Sequence, residues 1–558
     1  MKKKSQNSFI NFKRRRFQVT ILLMIGICAI SYTRTNIGIT MTCMVNSTAI
    51  TYIDNNNILK KTIINTNIPD KCKNTNYLNS TKSSVTDYGG TFIWNQQIQN
   101  LIFSGTFWGS LITVLPAGFL ADRTSPKNLL FYAAISYSIC SATFPYLAKH
   151  FGYIPVIISR FIMGLGEGCL PPAFNSIIAN WIPTSEKAIA LSIVTTGIQI
   201  SGTIGNPISA YLCASPLKWD SVFYLCSITL LLWSLFWSIF VQNRYNKAKW
   251  LSENEKEYLD NNMNIQKSNK IRKQFSIPWI DMVTSLPFLS VMSCKIVANI
   301  FTVFITMYLP TFFKETLYLN IIDNGFYSSL PFVAQGFVKI SWSMFVGKLQ
   351  KDGKLNSTQT VKLSQFISGI IVLLGLSILP FVIDCTKPYQ ALLFVILTSS
   401  GFGISASGFL TSHIIIAPAM IGVITGISTI AAIFGRISTP WIIYFLKITG
   451  TPKDWNLISW IIGSLWFLTS LFFTIFGSGE PQKWGNFEDT NNNDNYVTVA
   501  LNEIEEEEGD GISYKERERE IQTKKNFIEN LNFKIDFKKK YNEIERWKEN
   551  YGPVLKEI

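Results

Sequence analysis

Arg160-Phe-Ile-Met-Gly-Leu-Gly-Glu167-Gly-Cys-Leu-Pro-Pro172 lies inside an otherwise apolar run from 152 to 180. Such a run is long enough to cross the ~30 Å hydrocarbon core of a bilayer as a helix. Each ionised side chain buried there costs about 2.5–3.5 kcal/mol or more, so both charges must face a cavity or a partner. Arg160 and Glu167 are seven residues apart, which puts them on nearly one helix face, two turns from each other. Gly164 and Gly168 form a small-xxx-small pair, which lets a neighbouring helix approach closely.

Working outward, comparable runs fall at 17–40, 98–121, 128–148, 187–213 and 219–242, then at 285–313, 324–347, 360–383, 388–413, 419–446 and 456–478. With 152–180 they make an all-α membrane protein of twelve transmembrane helices in two six-helix bundles. Composition agrees: of 558 residues only 16% are charged, 47% are apolar and 14% aromatic, although the net charge is +15. The nine cysteines are scattered and suggest neither a metal site nor a disulfide framework. A basic run followed by apolar 17–30 also has the look of a signal peptide, but helix-compatible sequence continues past Arg34 to Val45 and favours a span.

Orientation follows from Lys and Arg, which accumulate in short cytosolic loops. A basic amino end at 1–16 is therefore cytosolic, as are Arg123, Lys127, the linker 243–284 and the 348–354 loop. The first bundle occupies 17–242 and the second 285–478. Between them Trp250-Leu-Ser-Glu-Asn-Glu-Lys-Glu-Tyr258 reads as a short surface helix. Loop 41–95 faces the opposite side and carries Asn46-Ser-Thr and Asn79-Ser-Thr, two glycosylation acceptors. A third acceptor, Asn356-Ser-Thr, falls on the cytosolic side and is expected to stay unmodified. The charged segment 479–558 is a cytosolic tail whose sequence identifies no partner.

Six charged residues fall in the interior of spans, away from their ends: Arg34, Arg160, Glu167, Lys295, Lys339 and Arg436. Five are cations, and a bundle that merely packed would omit them or pair them one to one. Cations without acidic partners imply a water-filled, electropositive interior that concentrates anions. Lys339 is near enough to the cytosolic end to snorkel. A desolvated Glu167 suits proton exchange, with Arg160 biasing it back toward ionisation. Of the two histidines, His150 reads as surface and His413 as a helix-end residue with a possible proton role.

Gly118-Phe-Leu-Ala-Asp122-Arg123-Thr-Ser-Pro-Lys127 resembles the cytosolic gate loop of major facilitator transporters, with Ser125 replacing the usual Gly. That resemblance implies the major facilitator fold, whose two pseudo-symmetric halves rock around a midplane site. Within the superfamily the chain is similar to the anion/cation symporters, the family of sialin, vesicular glutamate transporters and sodium/phosphate cotransporters. Arg34-Thr-Asn36, Thr106-Phe-Trp-Gly109, the Gly164–Gly168 stretch and Asn180-Trp-Ile-Pro183 carry the likeness in the first half. In the second half it rests on Leu309-Pro-Thr-Phe-Phe-Lys-Glu315, Asn324-Gly-Phe-Tyr-Ser-Ser-Leu-Pro331, His413-Ile-Ile-Ile-Ala-Pro418 and Gly477-Ser-Gly-Glu-Pro-Gln-Lys-Trp484. The style is sialin-like.

The resemblance implies that Arg34 holds a substrate anion, that Glu167 carries a coupling proton with support from Arg160, and that His413 matches a family histidine. Asn36, Lys295 and Arg436 complete the candidate substrate-binding set, and Gly118, Asp122, Arg123 and Lys127 the gate. Departures are Asn175 for a usual His, Met163 for a second acid, Ile415 for an acid, Ala298 where glutamate carriers have Arg, and Arg436 for a small residue. The expected function is secondary active transport of a small organic anion or phosphate by alternating access, coupled to protons or sodium. No cofactor or metal is expected, and the partners are the anion and the lipid bilayer. Lysosomal, vesicular and plasma membranes fit equally. A non-transporting sensor on the same fold is the rival; enzyme motifs are missing, and the basic charge clusters beside spans, as anionic lipid rather than nucleic acid would require.

Overall fold

The computed structural model describes residues 11–47, 49–50, 88–123, 125–248, 251–268, 278–417, 420–447 and 452–485. Twelve long helices stand out among them. The first six are α1 (Arg15–Met44), α2 (Gln96–Arg123), α3 (Pro126–Phe151), α4 (Tyr153–Trp181), α5 (Thr184–Ala214) and α6 (Asp220–Phe240). The second six are α7 (Leu286–Leu317), α8 (Ile321–Lys351), α9 (Ser357–Val382), α10 (Pro388–Ile415), α11 (Ile421–Leu446) and α12 (Pro452–Phe476). Among the described residues eight of these helices are long and apolar enough to cross a membrane by length and composition alone. Helices α2, α3, α5 and α8 are of similar length, and their lower hydropathy reflects the polar side chains they turn toward neighbours.

Glycine decides how close two of these helices come. A Cβ on Gly164 would run into the backbone carbonyl of Thr106 on α2, and one on Gly168 would meet the Ser110 carbonyl at 2.7 Å. The α2–α4 seam is therefore built backbone to backbone, which holds the charged face of α4 at a fixed depth in the first half.

The chain begins and ends its first half on one face, here called the linker face; α1 starts there and α6 returns there. The helix Glu253–Ser268 lies on this face. It is longer than the surface helix read from the sequence, and it is tied down by buried charge. The Glu255 carboxylate accepts the backbone N–H groups of Arg15 and Arg16 at 2.9 and 3.2 Å, satisfying donors that a helix start leaves open. Arg16 is fully buried, pairs with Glu186 at 3.0 Å and stacks over Tyr258 at 4.4 Å. Burial pushes the Glu186 carboxyl up, and Arg16 opposes the shift. Arg16 is thus an anchor as well as a topology signal.

At the opposite, far face the two halves interlock. Helix α1 is interrupted at Asn36, and α7 passes through a π-helical stretch, Phe304–Tyr308. The two irregular segments meet: a Cβ on Gly38 would sit 2.7 Å from the Thr306 carbonyl and 2.9 Å from the Met307 Cα. Tyr308 donates to Asn100 on α2 at 2.8 Å, and its ring stands edge-on to Phe103. Lys314 donates to the Thr42 carbonyl at 2.9 Å and to the Ser47 hydroxyl at 3.0 Å. Tyr88 donates to the Leu319 carbonyl at 2.5 Å and Asn206 to the Ser328 carbonyl at 3.1 Å. Cys385, in the far-face turn between α9 and α10, is disulfide-bonded, a bond that the scattered cysteine spacing did not suggest. Seven others are free, and Cys72 lies outside the described residues.

Candidate functional site

Three helices converge on one carboxylate. Glu167 projects from α4, and its Oε1 accepts Arg34 of α1 at 2.6 Å and Arg436 of α11 at 2.7 Å. Its Oε2 accepts the Tyr137 hydroxyl of α3 at 3.1 Å. The acid side chain is 8% exposed, while the two guanidinium side chains keep 18% and 25% of their surface. Both cations therefore reach open space as well as their partner. Arg34 and Glu167 belong to the first half and Arg436 to the second, so a single oxygen carries an ion pair to each half at mid-depth.

A cavity of about 280 Å³ opens beside this cluster. Its polar lining includes Arg34, Glu167, Arg436, Asn175, Thr195 and Thr429, with Phe174 and Ile433 among its apolar walls. The lining residues of α4 and α5 run from the middle of those helices toward their linker-face ends, so the cavity extends toward the linker face.

Arg160 is placed differently from the sequence reading. It is 2% exposed and donates to the Arg34 carbonyl at 3.2 Å and to Met163 Sδ at 3.5 Å. Seven residues of helix put it about 10.5 Å along the axis from Glu167, and the acid is instead met from other helices. Arg160 thus supports α1 at Arg34 rather than pairing with Glu167. The expectation of cations without acidic partners is likewise corrected for Arg34 and Arg436, which share Glu167. Neither Lys295 nor Arg160 forms a salt bridge among the described residues, although Arg160 stays within electrostatic range of Glu167.

Asn36 does not join the site. Two residues from Arg34 is about 200° around a helix, and Asn36 is buried with its amide on Cys226 of α6 at 3.1 Å. His413 belongs to the second half, buried and within electrostatic range of Lys295 rather than beside Glu167. Lys339 is half-buried on α8 and takes no part in the bonds to Glu167. In the gate motif the side chains of Gly118, Asp122 and Arg123 lie outside the described residues. Lys127 anchors within its own half, donating to the Ser238 carbonyl at 2.8 Å. Asn46 stands at the far-face end of α1, its Oδ1 accepting the Ala49 N–H at 2.7 Å, while Asn79 lies outside the described residues.

Two residues of the cluster went unnoticed in the sequence. Tyr137 is a polar tip in an apolar run, with nothing local to mark it. Asn299 accepts Arg436 Nε at 3.0 Å, and its position one turn after Lys295 was the available signal.

Residues 23–440 match the Major Facilitator Superfamily. The chain belongs to that superfamily. A Caenorhabditis elegans relative described as uncharacterized transporter slc-17.3 is 38% identical over 484 residues, covering 85% of this chain and 90% of that protein. Human sialin is 30% identical over 398 residues, 71% of this chain and 78% of sialin. A putative inorganic phosphate cotransporter of Drosophila melanogaster is 27% identical over 483 residues, 85% and 87% of the two chains. In fold the chain is similar to a D-xylose–proton symporter, with a TM-score of 0.60 at 15% identity over 83% of this chain and 99% of that one. This major facilitator chain is therefore an integral, multi-pass membrane protein whose relatives are transporters and not enzymes.

Proposed function

We propose that this major facilitator protein carries a small anion, an organic acid or phosphate, across the membrane by alternating access, with a proton as the coupling ion. One observation carries the reading: two guanidiniums from opposite halves share one carboxylate oxygen at the head of a one-sided cavity. Guanidinium groups recognise carboxylate and phosphate through charge-assisted hydrogen bonds. In the absence of substrate Glu167 occupies that role. Protonating Glu167 removes its charge, frees Arg34 and Arg436, and leaves them to receive the anion from the cavity. The anion then links the halves where Glu167 had linked them, and the halves rock around it. Proton and substrate thus favour one another's binding, the reciprocity that symport requires. Arg160, held to the α1 carbonyl, keeps the Arg34 turn at the depth where this exchange takes place.

The test is uptake into proteoliposomes with pH and sodium gradients imposed separately, using labelled organic acids and phosphate. Arg34→Ala is expected to lower uptake by about 100-fold or more, since it removes a partly buried charge partner of the anion. Glu167→Gln is expected to abolish the response to a pH gradient. Full uptake in the first variant, or full pH response in the second, overturns the assignment.

A further inference from the structure

The two halves meet along two lateral seams, α2 with α11 and α5 with α8, which the pseudo-symmetry of the fold exchanges. The α5–α8 seam is filled. A Cβ on Gly325 of α8 would stand 2.3 Å from the Ala210 Cβ on α5, one on Gly202 would meet the Phe332 ring at 2.6 Å, and Asn206 donates across to the Ser328 carbonyl at 3.1 Å. The α2–α11 seam instead keeps a cavity of about 260 Å³, lined by Gln97, Asn100 and Ser104 of α2 and by Pro440, Trp441 and Tyr444 of α11. It lies in the far-face third of both helices. Leu101, Trp108 and Ile112 are exposed on α2 at spacings of seven and four, as are Phe434, Trp441 and Phe445 on α11, so these faces form the outside of the bundle. Leu101 and Trp441 belong to those faces and also line the cavity, which therefore opens sideways to lipid.

The lining is neutral and has donors to spare. Asn100 is buried; its Oδ1 accepts Tyr308 and Gln96, while its Nδ2 has no hydrogen-bond partner. The Tyr444 hydroxyl accepts Gln97 Nε2 at 2.6 Å and donates to no acceptor among the described residues. Buried donors are ordinarily matched, so an oxygen acceptor is what this cavity lacks. A phospholipid headgroup brings a phosphate, and no cation lines the cavity to receive it. An acyl chain alone leaves the donors unmet. A sterol has one oxygen, no charge and fused rings that lose little freedom when they bind. We propose that the α2–α11 cavity is a sterol site, with the sterol oxygen between Asn100 and Tyr444 and the rings along Trp441 and Leu101. Both halves contribute to it, so the occupant binds while α2 and α11 are together and favours the far-closed form. Pro440 stands one turn beyond Arg436, which sets the occupant against the helix turn next to the shared carboxylate. The site requires no particular cargo.

The test is photolabelling of the full chain in phosphatidylcholine liposomes by a clickable diazirine sterol, with the adducts mapped by peptide mass spectrometry. Adducts are expected on 97–104 and 440–444, and unlabelled cholesterol should compete them away. Cholestenone, which keeps an acceptor oxygen but cannot donate, should compete within about twofold of cholesterol, and cholestene, which has no oxygen, about tenfold less well. Trp441→Ala should lower labelling about fivefold. Adducts confined to other helices, labelling that cholesterol does not compete, or equal competition by cholestene overturns the site. The competition series in the unaltered protein decides alone where the variant fails to reach the membrane. Adding cholesterol to the liposomes should also reduce far-side maleimide labelling of the buried Cys43 about threefold in the unaltered protein and not in Trp441→Ala. An equal reduction in both would trace the effect to the bilayer and overturn the link to the far-closed form. Absence of anion flux removes the carrier reading and leaves the sterol measurements standing on their own.

Discussion

The far face and the midplane join the same two halves by different means. At the far face the joint is spread over several hydrogen bonds and backbone contacts, one of them from the Lys314 ammonium and the rest neutral: Tyr308 on Asn100, Tyr88 on Leu319, Asn206 on Ser328, Lys314 on Thr42 and Gly38 on Met307. Each hydrogen bond of this kind contributes about 0.5–1.5 kcal/mol, and they open only as a group. At the midplane a single carboxylate oxygen joins Arg34 to Arg436. That joint is undone by one proton or replaced by one anion. A seal must resist partial loss, whereas a coupling centre must respond to a single event, and the chemistry of each joint suits its task.

The largest expected effect tests the midplane. Glu167→Ala leaves two guanidiniums facing each other without their acid, and breaking a buried pair in this way costs about 3–5 kcal/mol. The thermal midpoint of the purified protein should drop accordingly. Adding Arg436→Ser to Glu167→Ala should recover part of the loss, because one of the two stranded charges is gone; the double-mutant cycle measures the coupling directly. If the two substitutions simply add, the shared oxygen contributes nothing to holding the halves together.

A smaller effect is expected at the far face. Gly38→Val places a branched side chain against the α7 backbone, where the nearest atoms are main chain and have little room to yield. Overpacking of this sort costs about 1–3 kcal/mol and acts only on the far-closed arrangement. Cys43, buried one turn beyond Gly38, is a native reporter. Its labelling by a membrane-impermeant maleimide from the far side should rise by roughly tenfold. Unchanged labelling would show that α1 and α7 do not form the seal.

The same contrast explains what could be read from the chain. The spans were legible because twenty apolar residues in a row have few other fates, and even α5 and α8, with more polar faces, keep that length. Ends were less so: α1 begins at Arg15 because Glu255 caps it from the linker helix, a contact no local pattern shows. Arg34, Glu167 and Arg436 stood out because charge in a span is costly. Their pairing did not, since Glu167 is 133 residues from Arg34 and 269 from Arg436. Helical periodicity reports neighbours on one helix, so it offered Arg160 as the partner, and the tertiary arrangement gave Arg160 to a backbone carbonyl instead. Asn36 entered the candidate list with Arg34 as part of the Arg34-Thr-Asn36 segment, and helix rotation turns its amide to Cys226 instead.

Tyr308→Phe isolates one hydrogen bond of the seal. The Tyr308 ring keeps its edge-on contact with Phe103, and only the hydroxyl that donates to Asn100 is lost. Asn100 Oδ1 retains Gln96 as a donor at 3.2 Å, so no acceptor is stranded and the penalty is confined to the net value of one bond, about 1 kcal/mol. That shifts the balance between far-closed and far-open forms by about fivefold, visible as a corresponding rise in Cys43 labelling and well below the Gly38→Val response. The substitution leaves Glu167 and its arginines untouched, so the dependence of uptake on the pH gradient should persist. A loss of that dependence in Tyr308→Phe would mean that seal and coupling centre are one cooperative unit rather than two joints of different kind.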